Sequence, residues 1–248
     1  MVDETRESVH ARWVRVTHWI LSASVLTLAF SGFVILMAHP RLYWGDAGND
    51  LTPALIELPI SRNFRHGGWA DRTSISENDP GVISASRTFD TFNQNGWGRS
   101  LHFFAAWGLV LVGSVYLIAG ILGGHFQAHL RPRLRELSPP LVWRDLVDHW
   151  SPKGRPAPRG PNYGLLQKCA YSAVVFLAAP LAVLTGLTMS PRVSAAFPFL
   201  LRVFDGAQSA RTLHFAAFLV LLLFAIVHVV MVIRSGFRRQ IRAMTFGE

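Results

Sequence analysis

The chain has 248 residues, of which 50% are hydrophobic, and a formal net charge of +9 at pH 7. Its apolar residues are gathered in four long runs, which excludes an ordinary soluble domain and favours arginines beside a membrane over nucleic-acid binding as the source of the charge. A single cysteine, Cys169, excludes an internal disulfide, a four-thiolate zinc site and an iron–sulfur cluster.

Each apolar run is about 20 residues long and contains no Lys, Arg, Asp or Glu. A helix of that length, at about 1.5 Å per residue, crosses a hydrocarbon core of about 30 Å. The first run is longer than the apolar part of a signal peptide and no Ala-x-Ala site follows it, so it is predicted to stay as an anchor. The sequence therefore predicts an all-α integral membrane protein, one domain over residues 1–248, with a bundle of four transmembrane helices at about 16–38, 101–122, 169–189 and 213–233.

The basic residues indicate the orientation of these helices. Fifteen of the 24 Lys and Arg residues fall in the two tails and the second connection, or open the third span, and nine fall in the other two connections. Because cytoplasmic loops carry the excess of Lys and Arg, both termini and the connection 124–167 are predicted to be cytoplasmic, in a bacterial inner membrane. The connection 40–98 is then on the outer side, and its length suggests a function.

Four of the ten histidines lie in or at the predicted spans: His18, His102, His214 and His228. One such histidine alone is as often a helix–helix hydrogen bond as a ligand, although polar groups in a bilayer are costly and usually functional. His214 and His228 are 14 residues apart, which puts them on one helical face and about 21 Å apart along the axis. That spacing suits two haems placed one above the other against one helix.

Each haem needs a second axial ligand at a matching depth. His102 opens the second span at the outer surface, level with His214, and His18 lies just inside the cytoplasmic end of the first span, level with His228. The second and fourth spans also open with the same Arg-x-Leu-His-Phe-x-Ala pattern. We therefore expect two haems b between the helices, an outer one bound by His102 and His214 and an inner one bound by His18 and His228.

An arginine stands three residues before three of the four histidines, on the same helical face and at a membrane surface. Such a guanidinium can bind a haem propionate or can anchor the helix at the interface, and both interpretations stay open for Arg15, Arg99 and Arg211. Glycines at the depths of the haems, such as Gly32 and Gly120, can likewise accept a flat macrocycle or allow close helix packing.

Residues 15–19 (Arg-Val-Thr-His-Trp) and 31–32 (Ser-Gly), with the pair His214 and His228, resemble a known family. These are the cytochrome b subunits of respiratory formate dehydrogenase, thiosulfate reductase and nickel–iron hydrogenase, and the resemblance covers all four spans. It implies the same pairing of histidines, a quinone near the cytoplasmic haem and a catalytic subunit outside the membrane, here of the molybdopterin oxidoreductase class.

Residues 163–168 (Tyr-Gly-Leu-Leu-Gln-Lys) resemble the segment before the third span of that family. Some members have an Asn at the position of Gly164, where it helps to bind quinone, and this chain departs from them there. The candidate quinone contacts are Tyr163, Gln167 and His125.

These features predict an electron-transfer subunit, with haem iron as its metal and no catalytic residue of its own, rather than a complete enzyme. Two alternatives remain open: a self-contained cytochrome b that oxidises quinol and reduces a small acceptor, and a haem-free membrane anchor. The long outer connection, with Arg62, Arg65 and Trp69, favours a docked periplasmic partner, and the alternative for this connection is a cap over the outer haem.

Overall fold

The computed structural model describes residues 10–48, 52–60, 95–132, 136, 138–150 and 164–247. Within them, four helices are long and apolar enough to cross a membrane: the first span Arg12–Ala38, the second Asn95–Leu122, the third Leu165–Thr188 and the fourth Ala207–Arg234. Between 6% and 17% of the most apolar stretch of each helix is buried inside the protein. Most of this apolar surface therefore suits contact with lipid, and the predicted fold class is confirmed.

Short elements connect the spans. In chain order they are the strands β1 (Arg41–Leu42) and β2 (Ile56–Glu57), the helices His125–His129 and Pro139–Trp150, the helices Pro191–Ala196 and Phe199–Val203, and a C-terminal helix, Phe237–Thr245. The two strands are antiparallel, with Arg41 opposite Glu57 and Leu42 opposite Ile56.

The third span is not a uniform α-helix. It is α-helical over Leu165–Ala173, forms a π-helical turn over Val174–Ala178 and is α-helical again over Ala179–Thr188. Pro180 follows the π turn, and a proline has no N–H and clashes with the carbonyl four residues earlier in an α-helix. The wider turn gives that carbonyl more room, so the helix continues through the proline and on to Thr185.

Two compact units can be distinguished by their internal contacts. The first unit contains the described parts of Met1–Ser22, Val110–Ala179 and Val220–Glu248, and the second contains those of Ala23–Leu109 and Pro180–Leu219. Each span contributes one segment to each unit, so each unit has four helical segments of its own.

In the second unit, the chain after the first span is fastened to the start of the fourth. The carbonyl of Gly45 accepts the N–H groups of Gln208 and Ser209 at 3.0 and 3.2 Å, and the Ser209 hydroxyl accepts the Gly45 N–H at 2.6 Å. The Thr212 hydroxyl donates to the Tyr43 carbonyl at 2.6 Å. The two bonds to the Gly45 carbonyl satisfy N–H groups that a helix start leaves without partners. Together, the four bonds hold the turn from which His214 projects.

Candidate haem sites

In the second unit, the second and fourth spans bring two histidine rings together. The ring centres of His102 and His214 are 6.2 Å apart and the ring planes differ by 63°. A bond from a transition metal to an imidazole nitrogen is about 2.0 Å, and the nitrogen lies about 1.1 Å from the ring centre, so two imidazoles on opposite sides of one metal have centres about 6.2 Å apart. The pair therefore has the separation of two axial ligands on one iron.

Hydroxyl groups from the first and third spans determine which ring nitrogen of each histidine is available to bind a metal. Ser31 Oγ lies 3.0 Å from His102 Nδ1 and donates its own hydrogen to the Thr27 carbonyl at 2.7 Å. The serine oxygen is thus left to accept a hydrogen from Nδ1. The Nε2 of His102 then keeps its lone pair, which is the form of imidazole that binds a metal.

His214 is held in the same way by the third span. Its Nδ1 lies 2.9 Å from the Ala182 carbonyl and 3.1 Å from Thr185 Oγ1, and that hydroxyl donates to the Leu181 carbonyl at 2.6 Å. The carbonyl can only accept, so Nδ1 carries the hydrogen and Nε2 is free for a metal. Ser31 and Thr185 are both fully buried, which protects these bonds from competition with water.

A glycine follows each of these hydroxyl residues and lets the imidazole approach the helix backbone. A Cβ on Gly32 would lie 3.4 Å from His102 Cε1, and one on Gly186 would lie 3.3 Å from His214 Cε1. A Cβ would thus just touch the His102 ring and would press slightly on the His214 ring, and a side chain that extends further towards either ring would displace it. Gly32 therefore accommodates the ring edge of His102, whereas the space beside Gly120 is filled by the Phe126 ring, with which a Cβ would clash.

In the first unit, the first and fourth spans bring His18 and His228 together. Their ring centres are 6.3 Å apart and the planes differ by 53°, so this pair also has the separation of two ligands on one iron. The His228 ring stacks on Phe224 with centres 5.7 Å apart, and Tyr171 meets it edge to face at 6.2 Å. Aromatic packing thus fixes the orientation of His228.

His18 lacks the support that a hydroxyl gives to His102 and His214. Its Nδ1 is buried and has no hydrogen-bond partner among the described residues. The neighbouring Trp19 ring meets it edge to face at 5.4 Å. The four histidines nevertheless form two separate pairs, in the combination that the sequence predicts.

The three arginines near the histidines have different surroundings. Arg15 Nη1 donates to the Thr245 carbonyl at 3.2 Å, and its Nε is buried without a partner in the part of the chain that the structure describes. A buried guanidinium nitrogen without a partner suits an anionic group such as a propionate. Arg211 donates to the His39 carbonyl, and Arg99 is exposed at the start of the second span.

Among the candidate quinone contacts, Gln167 has a structural task. Its Oε1 accepts the Gly164 N–H at 3.1 Å, and Asp145 Oδ2 accepts the Leu166 N–H at 2.9 Å, so both side chains cap the start of the third span. Lys168 forms a 3.0 Å ion pair with Glu136. Tyr163 lies outside the described residues.

His125 lies at the start of a short helix in the first unit. Its ring meets Trp13 edge to face at 5.5 Å and is 4.8 Å from the His129 ring. Burial lowers the pKa of His125, and His129 and His10 lower it further. The lowered pKa favours the neutral imidazole, whose N–H can donate a hydrogen bond to an acceptor such as a quinone oxygen.

Comparison with known proteins agrees with this geometry. The family model described as prokaryotic cytochrome b561 matches residues 9–247. The chain belongs to the prokaryotic cytochrome b561 family. The resemblance to membrane cytochrome b subunits drawn from the sequence is thus confirmed, and this cytochrome is a membrane electron-transfer protein that binds haem b.

One relative of the cytochrome is the putative protein-methionine-sulfoxide reductase subunit YedZ1 of Azospira oryzae. It is 28% identical over 227 residues, which cover 91% of this chain and 90% of the relative. No solved structure matches the chain.

Thr185 and Gly186 were not recognised as site residues from the sequence of the cytochrome. A signal is nevertheless present, because a hydroxyl residue followed by glycine occurs in the first span as Ser31-Gly32 and again in the third span as Thr185-Gly186. Both pairs hold a histidine that projects from another span. This second repeat, beside the Arg-x-Leu-His repeat, is the sequence signal for Thr185 and Gly186.

Removing the hydroxyl behind one ligand is expected to weaken haem binding at that pair alone. In Ser31→Ala, His102 Nδ1 loses its acceptor, and the loss of such a partner lowers metal affinity by about 10–100-fold. The measurement is haem retained in purified protein, resolved into components by redox titration. Ser31→Thr keeps the hydroxyl and is the matched control. Equal haem retention in the Ala and Thr variants would show that the hydroxyl does not support the ligand.

Proposed function

We propose that the cytochrome holds two haems b, one at each histidine pair, and carries electrons across the membrane between a quinone and a redox subunit on the outer face. The observation that supports it is the presence of two separate pairs whose ring centres are 6.2 and 6.3 Å apart. Haem b supplies one-electron exchange at its iron. With one histidine pair towards each end of the fourth span, one redox centre would lie near each membrane surface.

In this proposal, residues of the chain bind the haems and orient the histidine rings. Nε2 of each of the four histidines would face an iron: His18, His102, His214 and His228. Ser31 and Thr185 would fix the ring orientation of the outer pair, and the arginines Arg15, Arg99 and Arg211 would contact propionates at the surfaces. Haem potential would then depend on this ligation and on burial.

The orientation follows from the distribution of charge. We place both termini and the connection 124–167 in the cytoplasm and the connection 40–98 outside a bacterial inner membrane, because the basic residues are in excess on the first side. The whole chain would form one di-haem membrane domain. The quinone would bind near the inner haem, with Tyr163, Gln167 and His125 as its candidate contacts.

The partner is proposed to be a periplasmic oxidoreductase subunit that contains molybdopterin. The relative from Azospira oryzae is named as a subunit of a protein-methionine-sulfoxide reductase, which supports a separate redox subunit for this chain too. The molybdopterin class rests on the resemblance to the subunits of formate dehydrogenase and thiosulfate reductase.

Purification of the tagged chain from its host in mild detergent tests this function. We expect a second subunit to co-purify with about one molybdenum per complex, measured by mass spectrometry, and we expect menadiol to reduce both haem components. A complex without molybdenum would refute the class of partner. If dithionite reduces the haems but menadiol does not, the proposed electron exchange with a quinone would be refuted.

A further inference from the structure

The C-terminal helix Phe237–Thr245 begins three residues after the end of the fourth span at Arg234. Between them, Gly236 has φ 103°, a conformation that side chains other than glycine rarely adopt, and it turns the chain at this point. The C-terminal helix therefore starts at the membrane surface.

The C-terminal helix is basic and amphipathic. Phe237, Ile241 and Met244 recur at the spacing of one helical face. Three arginines of the helix are exposed: Arg238, Arg239 and Arg242. Phe237 is 53% exposed and Phe246, just beyond the helix, is 68% exposed. This combination of arginines and exposed aromatic side chains is typical of helices that lie in the interface of a membrane.

Two carboxylates of the first unit are engaged elsewhere. Glu136 pairs with Lys168, and Asp145 accepts the Leu166 N–H. In the described structure, Arg239 donates to the Ser235 carbonyl, which carries no full charge. Arg238 and Arg239 are exposed, so their guanidinium groups are accessible to a negative group outside the protein. A phospholipid headgroup is the anion nearest to a helix that follows a membrane span, and the exposed Phe237 and Phe246 suit acyl chains rather than nucleic acid.

The end of the same helix contacts the residues that flank His18. Trp19 Nε1 donates to the Met244 carbonyl at 3.2 Å, and Arg15 Nη1 donates to the Thr245 carbonyl at 3.2 Å. Ala243 is buried in this contact region. Because His18 Nδ1 has no partner among the described residues, the orientation of this ring depends strongly on its neighbours in the chain.

We infer that the C-terminal helix binds the headgroups of anionic phospholipids through Arg238 and Arg239, and that its carbonyl contacts with Arg15 and Trp19 make it a positioning element for His18. The second half of this inference rests on the proposed role of His18 as a haem ligand. Bound anionic lipid adds negative charge near the inner haem and favours the oxidised iron, so the potential of that haem becomes lower in anionic membranes.

The test uses the haem-loaded cytochrome in nanodiscs of phosphatidylcholine, with or without an equimolar amount of phosphatidylglycerol. Arg238→Gln/Arg239→Gln is compared with Arg192→Gln/Arg202→Gln, which removes two exposed arginines of the second unit. Phosphatidylglycerol that stays bound after solubilisation is measured by mass spectrometry, and the potential of the inner haem by redox titration. We expect the first variant to lose at least half of the bound phosphatidylglycerol and the lipid-dependent shift in potential, and the control to keep both.

Equal retention of phosphatidylglycerol in the two variants would refute the lipid site. Loss of retention with an unchanged lipid-dependent shift would refute the effect of lipid bound at this helix on the potential of the inner haem. Trp19→Phe, which removes the indole N–H and keeps the aromatic ring, should retain phosphatidylglycerol but change the inner-haem potential, and an unchanged potential would also refute positioning. A wild-type protein with fewer than two haem components would refute the proposed function instead, and the lipid retention would still be measured.

Discussion

His102→Ala and His214→Ala are each expected to remove the same haem component, and His18→Ala and His228→Ala the other. The reason is that each pair of rings is separated by the distance of two ligands on one iron, and the remaining histidine cannot supply both axial bonds. Redox titration followed in the visible absorption bands should show one of two components lost in each variant. Because bound haem also stabilises the bundle by mass action, all four variants are expected to accumulate less protein.

His129→Ala is the matched control, since His129 lies in a short helix outside the spans and pairs with His125 rather than with a proposed ligand. It should keep both components. Loss of the same component in His18→Ala and His102→Ala would contradict the pairing. Loss of both components in every variant would mean that the two sites fold only together. The amount of haem left in each purified variant would then have to decide which histidines pair.

Replacing Arg62, Arg65 and Trp69 together with Ala is expected to abolish co-purification of the outer partner and to leave both haem spectra intact. These residues lie in the connection 40–98, which is proposed to be on the outer side, and they are outside the described residues, so the expectation rests on the sequence. This connection combines nearly balanced charge with Arg and Trp, which protein interfaces favour. Co-purification is measured with the tagged cytochrome, and quinol reduction of the haems is measured in the same samples.

The matched control removes two arginines and one tryptophan from the other side: Arg131, Arg144 and Trp143. All three are exposed in the connection between the second and third spans, and their replacement should leave the partner bound. If the outer triple variant also keeps its partner, and the potential of the outer haem shifts instead, then the connection shields that haem and does not dock a partner.

The fold class was predictable because it depends on local properties of the sequence. Four runs without charge are sufficient to define four spans. The helices are nevertheless longer than these runs: the first span begins at Arg12 and the second at Asn95. Helix ends are set by caps and turns rather than by hydropathy, so polar residues at the membrane surface remain helical. The π turn before Pro180 likewise depends on backbone geometry that hydropathy does not report.

The two histidine ring pairs were predictable because helical periodicity relates residues on one helix, and the Arg-x-Leu-His repeat relates two helices. The hydrogen bonds to these rings were harder to predict. Ser31 contacts His102, which is 71 residues away, and Thr185 contacts His214, which is 29 residues away. Such contacts arise only when four helices pack, and hydroxyl residues in a span usually bond to their own helix. The sequence of one span therefore does not distinguish them from ordinary serines and threonines.

The haem content of the purified protein tests the central proposal most directly. Pyridine haemochrome analysis of the wild-type chain, divided by protein from amino-acid analysis, should give about two haems b per chain, both low-spin, because each of the two histidine pairs is proposed to supply both axial ligands of one haem. A reproducible ratio of one would contradict the second site, and a ratio of zero would contradict both.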